Sequence, residues 1–228
     1  MIALATLDIA GTTVDEGGAV YRVLADVVAA HGTPASDAAI RHWMGADKRE
    51  ALAALTGDPG AVEDLHARFV RRLTDTYAAD PPAPFPGVPE ALAAMRADGI
   101  AVVLTTGFDR QVTDPLLEAV GWREGVDVDA LVCADEAGAG RPDPAMIHRA
   151  MALTGVDDPG RVLAAGDTVL DVAAGRAAGA ALVVGVLTGG QSADELRAAG
   201  PTHLLDGVAD LADLVGRSRP WHAPSPTS

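Results

Sequence analysis

The 228-residue chain has one cysteine, Cys133, and one lysine, Lys48. A single cysteine excludes an intrachain disulfide and any multi-cysteine zinc or iron–sulfur site. No apolar run reaches the ~18 residues that a membrane span needs. The first apolar segment, Met1 to Leu7, has no basic stretch before it, so nothing reads as a signal peptide. A reducing cytoplasm is the expected setting. Positive charge is scarce as well: 17 basic residues stand against 32 acidic ones, a net charge of −15. Such a chain repels phosphate backbones and anionic lipid, which sets aside nucleic-acid and membrane partners. What is present is 49% hydrophobic and 21% charged, the composition of a globular protein with a sizeable core. The length suits one large domain, or a core with a smaller lid.

Short apolar runs alternate with helical patterns. Ile2–Leu7, Ile100–Leu104, Ala130–Cys133, Arg161–Ala165 and Ala181–Val186 read as buried strands, each bounded by Gly, Asp or Thr. Between them Pro89–Asp98, Gln111–Val120, Pro144–Thr154 and Leu170–Ala178 are rich in Ala and Leu and helix-like. This repetition predicts an α/β fold with a doubly wound, Rossmann-like parallel sheet. Residues 15–85 break the alternation. Val20–Ala30, Asp37–Met44, Arg49–Leu55 and Ala61–Ala79 read as amphipathic helices, with no strand among them. The proline-rich run Asp80–Pro86 then stops the helices and forms a stiff connector. The expected organisation is a core of residues 1–14 and 86–216, an all-helical cap of residues 15–85, and a frayed tail of residues 217–228. The expected hinges are Val14–Gly18 and Asp80–Gly87.

Ligands of open α/β sheets sit at the carboxyl ends of strands. Asp8 follows the first strand within Asp8-Ile9-Ala10-Gly11-Thr12-Thr13, where Gly11 permits a tight turn that aims backbone N–H groups inward. Asp8 could instead be an ordinary turn residue. The other strand ends favour chemistry. One carries Thr105-Thr106-Gly107, another Gly166-Asp167-Thr168 with Asp171 four residues beyond Asp167. Three carboxylates at strand ends repel one another unless a cation lies between them, and hard oxygen donors suit Mg²⁺. Arg141, in the loop Gly140-Arg141-Pro142, could hold a phosphoryl oxygen in bidentate fashion, or form a surface salt bridge.

The order Asp-x-x-Gly-Thr, Thr-Gly, a basic residue before Pro, then Gly-Asp-Thr-x-x-Asp resembles the haloacid dehalogenase superfamily over nearly the whole chain, inserted cap included. The resemblance implies that Asp8 is a nucleophile forming an aspartyl-phosphate, and that Thr106, rather than Thr105, holds a phosphoryl oxygen. It implies Mg²⁺ bound by Asp8, the backbone carbonyl of Ala10 and Asp167, with Asp171 supporting the metal shell. The substrate is then expected to contact the loop at Gly11 and Thr12, and also Gly107.

Most phosphatases of that superfamily carry a second Asp two residues after the nucleophile, and here that position is Ala10. An ordinary phosphate ester would lose general-acid catalysis worth roughly 10²–10⁴ in rate. The form Asp-x-Ala-Gly-Thr, with Arg141 in a Gly-Arg-Pro context, resembles the phosphonoacetaldehyde hydrolases (phosphonatases). Their cap lysine, which follows a Met-Gly pair and forms a Schiff base with the substrate aldehyde, is matched in spacing by Met44-Gly45-Ala46-Asp47-Lys48. An iminium on Lys48 is an electron sink, so the carbon leaves as an enamine and needs no acid at position 10. The other 16 basic positions are Arg, which keeps charge but does not readily form an imine. Burial of Lys48 would lower its pKa, with help from Arg49 and against Asp47. Met44 either touches substrate or packs the cap. Trp43 and Phe69 read as core residues, and His31, His42 and His66 as surface or capping residues.

Phosphonatases proper have a His, a Tyr and a Cys where this chain has Ala51, Phe108 and, nearby, Gly18. The expected substrate is therefore phosphonoacetaldehyde or a related 2-oxoalkylphosphonate. Three alternatives stay open: a phosphomonoesterase in which Lys48 only binds substrate, a metal-free dehalogenase, and a catalytically silent binding protein. The chain is expected to act as a monomer or a homodimer.

Overall fold

The computed structural model describes residues 1–32 and 34–217. In chain order the strands and helices are β1 (Leu4–Asp8), β2 (Val14–Asp15), α1 (Ala19–His31), α2 (Asp37–His42), α3 (Lys48–Thr56), α4 (Val62–Ala79), β3 (Ala83–Pro84), α5 (Val88–Ala97), β4 (Ala101–Thr106) and α6 (Arg110–Ala119). There follow β5 (Ala130–Cys133), α7 (Ala134–Ala137), α8 (Ala145–Thr154), β6 (Val162–Gly166), α9 (Val169–Ala177), β7 (Leu182–Val186), α10 (Ala193–Ala199), β8 (His203–Leu205) and α11 (Leu211–Arg217). Six strands form one parallel sheet in the order β5-β4-β1-β6-β7-β8. The chain therefore runs outward to one edge, returns beside β1 and runs to the other edge. That is the doubly wound, Rossmann-like α/β fold, with its switch point between β1 and β6.

Every residue of β1 and β6 is buried, as expected for central strands covered by helices on both faces, and the edge strand β5 is buried as well. β1 runs Leu4–Asp8 rather than Ile2–Leu7, so the carboxylate is itself the last strand residue. The register pairs Asp8 with Thr105 on β4.

Helices α1 to α4 lie between β2 and β3 and form the cap. The reading of residues 15–85 as free of strands is corrected by a two-residue ribbon: Val14 pairs antiparallel with Pro84, and Asp15 with Ala83. Two residues are too few to leave a period in the sequence. The ribbon joins the two crossings between core and cap, and Phe85 N–H donates to the Thr13 carbonyl beside it at 3.1 Å. Phe69, Leu65 and Leu73 on α4 are fully buried and share one core with Leu24, Val27 and Val28 of α1. Trp43 is partly buried against that core.

Two further expectations change. Helix α3 begins at Lys48 itself, because the Asp47 carboxylate caps it by accepting from Arg49 and Glu50 N–H groups at 2.8 and 3.0 Å. The edge strand β8 has no counterpart in the sequence reading. It is three half-buried residues long, too short and too weakly patterned to stand out. The expected tail lies outside the described residues apart from Arg217, which ends α11. Among the described residues no helix is long and apolar enough to cross a membrane.

Candidate active site

The carboxyl ends of β1, β4 and β6 place Asp8, Thr105-Thr106 and Asp167 together under the cap. Gly11 turns the loop after β1 at a φ of +86°, and a Cβ there would lie 2.8 Å from an Asp167 carboxylate oxygen. Glycine is thus needed for both backbone angle and space. Thr12 Oγ1 donates to Asp167 Oδ1 at 3.0 Å, and Gly190 N–H to Asp167 Oδ2 at 3.2 Å.

Arg141 is the hub of the buried charge. Arg141 is 5% exposed, which replaces the surface-bridge option with an interior one. Nη1 lies 2.7 Å from Asp8 Oδ1 and Nε 2.7 Å from Asp171 Oδ1, while Nη2 donates to the Thr105 hydroxyl at 2.8 Å. Part of the repulsion among the three carboxylates is therefore relieved by a protein cation. The other oxygen of Asp171 accepts from the Thr168 hydroxyl at 2.5 Å and the Thr168 N–H at 3.1 Å. Asp171 orients Arg141 and completes the capping box at the start of α9. Thr105 likewise serves Arg141, while Thr106 lines the cavity and accepts from Phe108 N–H at 3.2 Å.

Burial pushes the Asp8 carboxyl up to about 6, against the pull of Arg141 and with a push from Asp171. Asp167 is raised too, by burial and then by the charges of Asp8 and Asp171. Its hydrogen-bond donors, Thr12 and Gly190, are neutral. Asp8 has Arg141 as its partner, whereas a buried carboxylate held by neutral donors, as Asp167 is, calls for a compact cation. Among the described residues no three acidic, His or Cys side chains form a ready cage. Mg²⁺ does not require one, since it is commonly held by one or two carboxylates together with water and substrate oxygens. Asp8, Asp167 and the Ala10 carbonyl fit that donor set.

Lys48 reaches this site from the cap. It is 3% exposed, and Nζ donates to the Ala46 carbonyl at 2.7 Å. Nζ lies 5.3 Å from the centre of the Phe108 ring. Burial lowers its pKa from 10.5 to about 8, opposed by Asp47, Asp8 and Glu16 and aided by Arg141. The helpful cation is thus Arg141; Arg49 is turned away to Glu63 and Asp109.

A cavity of about 20 Å³ remains, walled by Asp8, Ala10, Lys48, Thr106, Gly107 and Arg141 together with Val20, Tyr21, Gly45 and Phe108. That is room for about one water. Gly11 and Thr12 are not part of the wall; Thr12 holds Asp167 and Gly11 leaves room for it. Met44 is buried with its Sδ and Cε against Gly190, so it packs the cap on the core and is not part of the wall.

Two residues gain importance over the sequence reading. Tyr21 lines the cavity, and burial followed by the charges of Asp167 and Asp8 holds its phenol protonated. Its signal was position, in the first turn of the helix that follows the Asp8 loop. His66 is not a surface residue: it is 3% exposed, with Nε2 3.1 Å from Asp109 Oδ2.

The sheet, the strand-end carboxylates and the helical cap define the class of protein. Residues 2–179 match the family model described as haloacid dehalogenase-like hydrolase. The chain belongs to that family of hydrolases. It is 30% identical over 247 residues to the phosphonoacetaldehyde hydrolase of Bordetella pertussis, covering 91% of this chain and 89% of the relative. It is 32% identical over 176 residues to the N-acetylmuramic acid 6-phosphate phosphatase of Pseudomonas aeruginosa, covering 75% of this chain and 76% of the relative. A phosphonoacetaldehyde hydrolase-like protein from Oleispira antarctica shares the fold with a TM-score of 0.82 at 24% identity, over 95% of this chain and 92% of that one.

Proposed function

We propose that the protein is a Mg²⁺-dependent hydrolase that cleaves the C–P bond of phosphonoacetaldehyde or a related 2-oxoalkylphosphonate. The observation that carries the reading is the placement of the chain's single lysine. Lys48 is buried at one cavity wall with Asp8 and Ala10, and its amine is lowered to about 8.

The neutral Lys48 amine adds to the substrate carbonyl, and loss of water gives an iminium. The Asp8 carboxylate attacks phosphorus, the C–P bond breaks, and its electron pair passes into the iminium to give an enamine. Protonation and hydrolysis of the enamine release the aldehyde or ketone and return Lys48. Water hydrolyses the aspartyl-phosphate to phosphate. Arg141, fixed by Asp171 and Thr105, faces the charge that develops on the phosphoryl oxygens beside Asp8. Mg²⁺ at Asp8, Asp167 and the Ala10 carbonyl would neutralise phosphoryl charge when bound. The leaving carbon needs no acid at position 10, which accounts for Ala10.

Borohydride added with phosphonoacetaldehyde should reduce the imine and leave a stable adduct on Lys48, read by peptide mass spectrometry. Full activity in Lys48→Arg would sink the scheme, because guanidinium keeps the charge and forms no comparable imine. The second reading is a phosphomonoesterase in which Lys48 binds the substrate as a cation. The likeness to a sugar-phosphate phosphatase favours it, and the absence of an acid at Ala10 counts against it.

A further inference from the structure

We infer that Asp109, gripped from the cap by Arg49 and His66, is the latch that holds the cap shut over Lys48. Asp109 is thereby a positioning residue for the lysine chemistry. The consequence for chemistry rests on the reading of Lys48 above; the latch itself does not.

Asp109 belongs to the core and caps α6, its Oδ1 accepting from Val112 N–H at 3.3 Å. Its Oδ2 faces the cap, where Arg49 Nη1 lies at 2.8 Å and His66 Nε2 at 3.1 Å. A carboxylate can only accept, so Nε2 carries the proton. Burial lowers the His66 pKa, so the ring serves as a neutral donor. Arg49 is aimed by Glu63, 3.0 Å from its Nε. The two partners follow the two functional residues directly: Arg49 comes after Lys48, and Asp109 after Phe108. The pair therefore fastens together the chain segments whose preceding side chains meet at 5.3 Å. Beside it, the Gly45 and Ala46 carbonyls crowd Gly107 so closely that a Cβ there would lie 2.7 Å from the Ala46 oxygen.

Asp109 is buried, so opening the cap would strip Oδ2 of both partners at once. A second tie spans the same seam. Arg41 donates to the Gly190 carbonyl at 3.0 Å and pairs with Glu195 at 2.8 Å. Both side chains of that ion pair are 42% exposed. Water and salt screen such a pair, and it contributes little.

A single lysine makes the test direct. Trinitrobenzenesulfonate labelling of Lys48, followed by peptide mass spectrometry across pH, needs no substrate. The limiting rate at high pH reports access, and the midpoint reports the neutral fraction. Asp109→Asn and Arg49→Met should each raise the limiting rate about tenfold or more and move the midpoint up from about 8 towards an ordinary lysine. Glu195→Gln should leave both readouts unchanged. Arg49 is partly exposed, so its variant keeps the test open if Asp109→Asn does not fold. Wild-type labelling in both latch variants would overturn the inference, as would equally fast labelling in Glu195→Gln. Failure of the C–P hydrolase reading shows separately, as no phosphate released from phosphonoacetaldehyde by the wild-type enzyme.

Discussion

Raising the pH from 7 to 9 should speed C–P cleavage and slow any reaction in which Lys48 serves as a cation. The midpoint comes from the site. Burial removes the hydration that an ammonium needs and outweighs Asp47, Asp8 and Glu16, leaving a pKa of about 8. The neutral fraction is then about 9% at pH 7, about 50% at pH 8 and about 91% at pH 9. An unshifted lysine would be only about 0.03% neutral at pH 7, so the site enriches the nucleophile about 300-fold, on the order of 3 kcal/mol. Because kcat/KM follows the ionisations of the free enzyme, it should climb about tenfold between pH 7 and 9 and then level off. Initial rates of phosphate release from phosphonoacetaldehyde measure this, and the yield of borohydride-trapped adduct should follow the same curve. On an ester bound through the ammonium, kcat/KM should fall about tenfold over the same range. A flat or falling profile on the phosphonate, with nothing trapped, refutes the nucleophilic lysine.

Two further outcomes depend on close contacts. Gly107→Ala drives a Cβ into the Ala46 and Gly45 carbonyls at 2.7 and 2.9 Å, and the cap can relieve that by lifting. An overpacking cost of about 1–3 kcal/mol should then appear as a drop in kcat/KM with little change in melting temperature; a melting temperature that falls while kcat/KM holds would contradict it. Ala10→Asp puts a carboxyl on the cavity wall beside Asp8. Hydrolysis of an alkyl phosphate such as glycerol phosphate should gain roughly 10²–10⁴. Cleavage of the phosphonate should slow, because a new anion near Lys48 favours its ammonium form. No gain on the ester would remove the explanation of Ala10 as a vacant acid position.

The sheet was legible because its central strands are buried on both faces and read as unbroken apolar runs between helices. The end of β1 was legible to within one residue, and that residue is Asp8. Elements without a period left no trace: the two-residue ribbon of Val14–Asp15 with Ala83–Pro84, and the short edge His203–Leu205. Side-chain partners across long sequence gaps were the other blind spot. Arg141 was singled out for a phosphoryl group, yet its ties to Asp8 and Asp171 span 133 and 30 residues and exist only once the sheet has formed. His66 reads as a surface or capping residue in the sequence because its partner, Asp109, lies 43 positions away. Lys48 was visible for the opposite reason, since its distinction is the lack of any other lysine.

The charge balance of the site explains why cap closure matters to a chain of net charge −15. Asp8, Asp167 and Asp171 face Arg141 as the fixed cation, and Asp8, together with Asp47 and Glu16, favours the ammonium form of Lys48. With the cap lifted, water restores the hydration of Lys48, and the lysine is a cation that draws an anionic substrate towards an otherwise acidic protein. With the cap down, burial becomes the dominant influence and the same residue tends towards a neutral nucleophile. In the proposed reaction, attraction and covalent chemistry need opposite protonation states, and cap movement would supply both from one side chain. On this argument a variant that stays open should keep its affinity for phosphate-bearing anions while losing the imine. A variant that only removes the lysine charge should lose both.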